Sequence, residues 1–189
     1  MKHILEIRKT LLLLFTIVLS NHTFAQDSEK KLSFGVESEI MTWINKGYHG
    51  SLWMGRNGFR ARLVIAKATY PDSFNPEGFT NLTSEFYEME FDYFFGKKRN
   101  EFRGLWVALG TGYTKQSIES ETTSISASTD LMVLHTGIGY AINIYKGLYT
   151  TPWLGMALHL NAQDVEVGNE TWTPNFMDPV FGAKIGYSF

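Results

Sequence analysis

Apolar and polar residues alternate with period two along most of the chain beyond residue 31. That alternation marks β-strands with one apolar and one polar face. No sustained i, i+3, i+4 stripe competes with it. Eight segments carry the pattern: Leu32–Trp43, Tyr48–Gly55, Phe59–Tyr70, Ser84–Gly96, Arg103–Ile118, Thr129–Tyr145, Leu148–Asn161 and Met177–Phe189. Short turns follow the second, fourth and sixth: Arg56-Asn57-Gly58, Lys97–Asn100 and Lys146-Gly147. Asn-Gly is a strong hairpin signal, because both residues tolerate positive φ. The gaps after the third, fifth and seventh segments are polar loops, at residues 71–83, 119–128 and 162–176. The loops carry Phe74, Phe79 and Trp172 as candidate contacts for a partner.

The leader sets the compartment. Lys2, Arg8 and Lys9 precede an apolar run from Leu11 to Leu19, and Thr23-Phe24-Ala25 supplies small residues for cleavage. This is the layout of a secretory signal peptide at residues 1–25, with the mature domain at 26–189. The run is too short for the ~20 residues of a spanning helix. No second run approaches that length. An exported chain of strands enters a membrane only as a closed barrel, since lipid offers no partners to open strand edges.

Composition narrows the functions. The chain has no cysteine, which excludes a disulfide scaffold, a thiolate metal site and a cysteine nucleophile. Formal net charge is −2, and it becomes more negative without the leader, so nucleic acid is not an expected partner. A 15% aromatic share argues against disorder.

The charges decide which face meets what. Polar strand faces are rich in glycine (Gly110, Gly112, Gly137, Gly139, Gly155, Gly182 and Gly186), as a crowded lumen requires and a wet surface does not. Charges on the apolar faces, at Lys67, Glu85, Lys115 and Asp130, all fall near the loop ends of their strands. A cation costs ~2–4 kcal/mol at the bilayer midplane and ~0–1 near the interfaces, so this distribution suits lipid. Tyr93, Phe95, Tyr145, Tyr187 and Phe189 lie near the turn end, and Trp43, Tyr48, Tyr70, Tyr87 and Tyr113 near the loop end. Two such bands suit two membrane interfaces. Pro152 lies inside the seventh segment, and a closed barrel has no edge to hide it, so it is expected at the turn-end rim or in a bulge. The expected fold is an all-β, eight-stranded, antiparallel up-and-down transmembrane β-barrel.

The last segment ends Ile185-Gly-Tyr187-Ser-Phe189. This terminal aromatic pattern resembles the assembly signal of Gram-negative outer-membrane β-barrel proteins. With the leader and the strand count, the mature chain resembles the small OmpA-like and OmpX-like barrels. The resemblance implies an outer-membrane location, contact with outer-membrane lipid and recognition by the barrel-assembly machinery. No further periplasmic domain is expected after the barrel.

The lumen-facing set is Glu37, Glu39, Arg60, Arg62, Glu88, Glu90, Asp92, His135, His159 and Lys184. Buried charges must be paired, so a salt-bridge network filling the lumen is the expectation. A structural or surface-interaction role follows, with the extracellular partner unspecified. A narrow pore is the alternative, with these charges as its constriction. Some outer-membrane barrels modify lipid A with a His, a Ser and an acid. Here neither His135 nor His159 has a Ser two residues on, so no catalytic residue is assigned. The two histidines are read as hydrogen-bonded filler, with no metal and no cofactor expected. A soluble lipocalin-like barrel would need an apolar cavity, against the Glu and Arg faces. Asn81-Leu-Thr83 and Asn169-Glu-Thr171 match the glycosylation pattern and are read as chance in a bacterial protein.

Overall fold

A computed structural model describes residues 32–189. The proposed signal peptide at 1–25 lies outside the described residues. The strands are β1 (Ser33–Glu39), β2 (Tyr48–Arg56), β3 (Phe59–Thr69), β4 (Phe79–Phe94), β5 (Gly104–Ser120), β6 (Ser126–Tyr145), β7 (Leu148–His159), β8 (Val165–Val167), β9 (Glu170–Trp172) and β10 (Met177–Ser188). A one-turn helix, α1 (Ile40–Ile44), follows β1. Eight strands close into a barrel in the order β1-β10-β7-β6-β5-β4-β3-β2, with every pair antiparallel. The small β8–β9 hairpin forms a sheet of its own. Asn57 (φ 60°) and Gly58 (φ 82°) make the β2–β3 turn that the Asn-Gly pair announces.

The pleat divides the residues as the alternation predicts. Leu52, Leu63, Leu109, Leu154 and Phe181 point outward and are 55–67% exposed, while Arg60, Arg62, Asp92 and Trp106 are 1–2% exposed inside. A soluble barrel has the opposite arrangement. Among the described residues no helix is long and apolar enough to cross a membrane. The outward charges form one register row, Lys67↔Glu85↔Lys115↔Asp130, with alternating sign across β3, β4, β5 and β6. Lys67 Nζ lies 2.9 Å from Glu85 Oε1. Aromatic rings cluster at the turn end: Phe59–Tyr93 at 4.7 Å, Tyr93–Phe95 at 4.8 Å and Tyr187–Phe189 at 5.3 Å. Tyr70 does not join the loop-end band. It shares parity with inward Arg62, Val64 and Ala66, and is half-buried.

Leu109 tests the lipid-facing assignment. Leu109→Arg is expected to destabilise the inserted barrel by about 2–4 kcal/mol. Lys115→Arg, in the charged row, is expected to change stability by no more than about 1 kcal/mol. Urea titration of the protein refolded into vesicles measures both.

Several boundaries differ from expectation. The first strand stops at Glu39, because Ile40–Ile44 turn into α1, closed by the Asn45 and Gly47 amides donating to the Met41 and Thr42 carbonyls. β4 starts at Phe79 rather than Ser84, and β5 and β6 extend to Ser120 and from Ser126, leaving a short turn instead of a loop over 119–128. Segment 162–176 contains the β8–β9 hairpin, turned at Gly168 with φ 67°. The link after β4 is more than a polar turn. Residues Arg99–Glu101 form a 3₁₀ turn, and Phe102 (φ 54°) enters the barrel end. Pro152 is neither at the rim nor in a bulge. It sits opposite Ala183 inside β7, and pairing of β7 with β6 lapses between Gly139–Trp153 and Ile142–Thr150. Proline lacks the N–H that this stretch would donate.

Candidate functional site: the charged lumen

Alternate residues of β1, β3 and β4 bring Glu37, Arg60, Arg62, Glu90 and Asp92 into one layer inside the barrel. Arg60 Nε donates to Asp92 Oδ2 at 2.6 Å, and its Nη1 donates to Glu37 Oε1 at 2.6 Å. Arg62 Nη1 donates to Glu37 Oε2 at 2.9 Å, and its Nη2 donates to Asp92 Oδ1 at 3.1 Å and to Glu90 Oε2. Each guanidinium therefore meets two or three carboxylates, and such paired geometry is what makes a buried charge tolerable. Ser51 keeps β2 low between β1 and β3, facing Glu37 in the register.

Aromatic groups finish the layer. Tyr149 donates to Glu37 Oε1 at 2.8 Å and accepts from Trp53 Nε1 at 2.7 Å. Arg60 lies over the rings of Trp53 (5.2 Å) and Phe94 (5.1 Å), and Arg62 over Trp106 (5.8 Å). Sequence reading misses Trp53, Tyr149, Trp153 and Trp106 as members of the site. Their inward parity, beside Ser51 and Thr151, is the signal that could find them. Glycines provide the seats. A Cβ on Gly35 would collide with the Trp53 ring, and one on Gly186 with the Tyr149 ring.

The other predicted residues divide into three groups. His135 joins the layer, with Nδ1 3.2 Å from Glu90 Oε1 and 3.6 Å from Glu88 Oε2. Glu39 and Lys184 stand beside it: Trp153 Nε1 donates to Glu39 Oε2 at 2.7 Å, and Lys184 Nζ sits 4.4 Å from the Trp153 ring centre. His159 belongs elsewhere. Its Nδ1 lies 2.7 Å from the Asn175 carbonyl and 3.8 Å from Asp178, towards the loop end. The two histidines do not converge. Among the described residues no hydroxyl is hydrogen-bonded to either ring.

Apolar clusters lie on both sides of the charged layer. Trp53, Phe94, Phe102, Trp106, Ala141 and Tyr149 pack at the turn end. Phe79, Ile118, Val167 and Trp172 pack at the loop end, so Phe79 and Trp172 are core residues and not exposed contacts. Phe74 is exposed, as expected.

No protein-family model and no curated protein matches the chain. Solved structures do match. A major outer membrane protein from Thermus thermophilus aligns at 13% identity with a TM-score of 0.57, over 84% of this chain and 100% of that one. The N-terminal β-barrel domain of Pseudomonas aeruginosa OprF aligns at 13% identity with a TM-score of 0.52, over 85% of this chain and 100% of that one. The chain has the outer-membrane barrel fold. Within that fold the interior of this barrel carries Arg60 and Arg62 paired with Glu37, Glu90 and Asp92, beside the Trp53, Phe94 and Trp106 rings.

Proposed function

We propose that this protein is a non-conducting barrel of the outer membrane, with a structural or surface-interaction role carried by its loop end. The observation that carries the reading is the charged layer between two apolar clusters. An ion crossing it would have to break the Arg60 and Arg62 pairs, each of which is almost wholly buried. The outward apolar belt supports contact with outer-membrane lipid. Ile185 and Tyr187 point outward on β10, and Phe189 follows with its amide donating to the Phe34 carbonyl across the seam to β1. That placement supports the terminal residues as the signal for the barrel-assembly machinery. Phe74, Ile125 and Phe176 are exposed in the segments at the loop end and give a partner apolar surface.

Two measurements test this. Cell fractionation is expected to place the protein in the outer membrane, with a gel mobility that shifts on heating in detergent. A soluble protein without the shift would overturn the lipid-facing reading. In a planar bilayer no steady conductance is expected. A stable ohmic conductance would replace the closed lumen with the narrow-pore alternative.

A further inference from the structure

The lumen carries more acid than base. Glu37, Glu39, Glu88, Glu90 and Asp92 face inward with only Arg60, Arg62 and Lys184 as fixed cations among the described residues. The two arginines are taken up by Glu37, Glu90 and Asp92. Glu88 has no Lys or Arg within ion-pairing distance among the described residues. Its side chain is 9% exposed, and its one charge partner is His135 at 3.6 Å. A carboxylate so far removed from water calls for a positive charge or a proton.

Three ligand atoms converge there. One ligand atom each of Glu88, Glu90 and His135 lies within 4.8 Å of the other two, and His135 Nδ1 is 3.6 Å from Glu88 Oε2 and 3.2 Å from Glu90 Oε1. Register explains the meeting: Glu90, Gly110 and His135 share one row across β4, β5 and β6. Gly110 and Gly112 leave the intervening strand bare. A Cβ on either would come within 2.7 Å of the Glu90 or Glu88 Cγ. Glu90 gives Oε2 to Arg62 and turns Oε1 to the imidazole. The other ring nitrogen, His135 Nε2, is buried without a hydrogen-bond partner. The Glu90 carboxylate is the one acceptor at the ring, so the neutral imidazole holds its proton on Nδ1, and a metal ion bound there takes that proton's place while Nε2 carries the N–H.

We propose that Glu88, Glu90 and His135 bind a divalent metal ion of the zinc class inside the barrel. Zinc holds imidazole and carboxylate ligands at ~2.0–2.2 Å, which puts the edges of a tetrahedral site at about 3.3–3.6 Å. The 3.6 Å separation of Glu88 from His135 Nδ1 lies on such an edge, and the 3.2 Å separation of Glu90 falls just short of one. One imidazole with two carboxylates suits zinc better than calcium or magnesium, which prefer oxygen alone. Glu88 lies nearer the loop end of β4 than Glu90.

Calorimetric titration of the detergent-solubilised protein with Zn²⁺ tests the site. The expected result is saturable binding of one ion. Glu88→Gln and His135→Gln are each expected to weaken it by at least about tenfold. His159→Gln, outside the site, is expected to leave it within about twofold. Absence of saturable binding by the unmodified protein overturns the proposal, as does an equal loss in His159→Gln or no loss in Glu88→Gln. If a variant does not refold, zinc X-ray absorption of the unmodified protein decides. One imidazole among oxygen ligands supports the site, and none or several overturns it. Neither result depends on the bilayer conductance.

Discussion

Replacing Arg62 with leucine is expected to destabilise the folded barrel by about 3–5 kcal/mol, since it leaves buried charges without their partner. Arg62 bonds Glu37, Glu90 and Asp92 together, and its side chain has no exposure to solvent. Glu37 and Asp92 keep Arg60, but Glu90 is left with His135. Urea midpoints of refolded protein, followed by the heat-dependent gel band, give the loss. Lys67→Ala is the control. It breaks an exposed pair with Glu85 and is expected to cost at most about 1 kcal/mol. Equal losses in the two variants would mean that the lumen layer contributes no more than a surface pair. Adding Glu90→Gln to Arg62→Leu is expected to recover part of the loss, because the pair is removed together.

Trp53→Ala is the second large effect, expected at about 3–5 kcal/mol from lost burial and the cavity left behind. The indole fills the turn end, 5.2 Å from the Phe102 ring, and lies under Arg60. It also donates to Tyr149, which in turn donates to Glu37, so the truncation loosens the charged layer as well. Trp53→Phe keeps most of the volume and loses the N–H, so a cost nearer ~1–2 kcal/mol is expected. Equal costs for the two variants would place the effect in the hydrogen bond. A cost below about 1 kcal/mol for Trp53→Ala would show that the end of the barrel is not packed as described.

Much of this is legible in the sequence because a strand has one strict period. Once Arg60, Arg62, Glu88, Glu90 and Asp92 alternate with Leu63, Met89 and Phe91, their facing follows from the pleat. Which of them touch does not follow. That depends on the register between strands far apart in the chain, such as Glu37 with Tyr149. The period also misleads where the chain leaves the sheet. Ile40–Ile44 continues an apolar run but closes a helical turn, and nothing in five residues separates the two. Phe79 and Trp172 pass for exposed loop aromatics because the long hairpins that bury them read as polar loops. The β8–β9 hairpin does carry a signal, in Val165 and Val167 before Gly168-Asn169, but three-residue strands are too short for a period to be secure.

The seam between the first and last strands is short, from Gly35–Ser188 to Glu39–Lys184. Glu37 and Tyr149 sit on the two strands that flank β10, and their bond passes over it. A sheet that has formed all its hairpins but not yet met end to end therefore holds Glu37 without Tyr149 and a lumen still open to water. The pairs of Arg60 and Arg62 lie on β1, β3 and β4 and need no closure, whereas the Glu37–Tyr149 bond rewards only the finished ring. The final step of assembly therefore gains a bond that no earlier step offers, and the Glu37–Tyr149 pair acts as a latch on the ring.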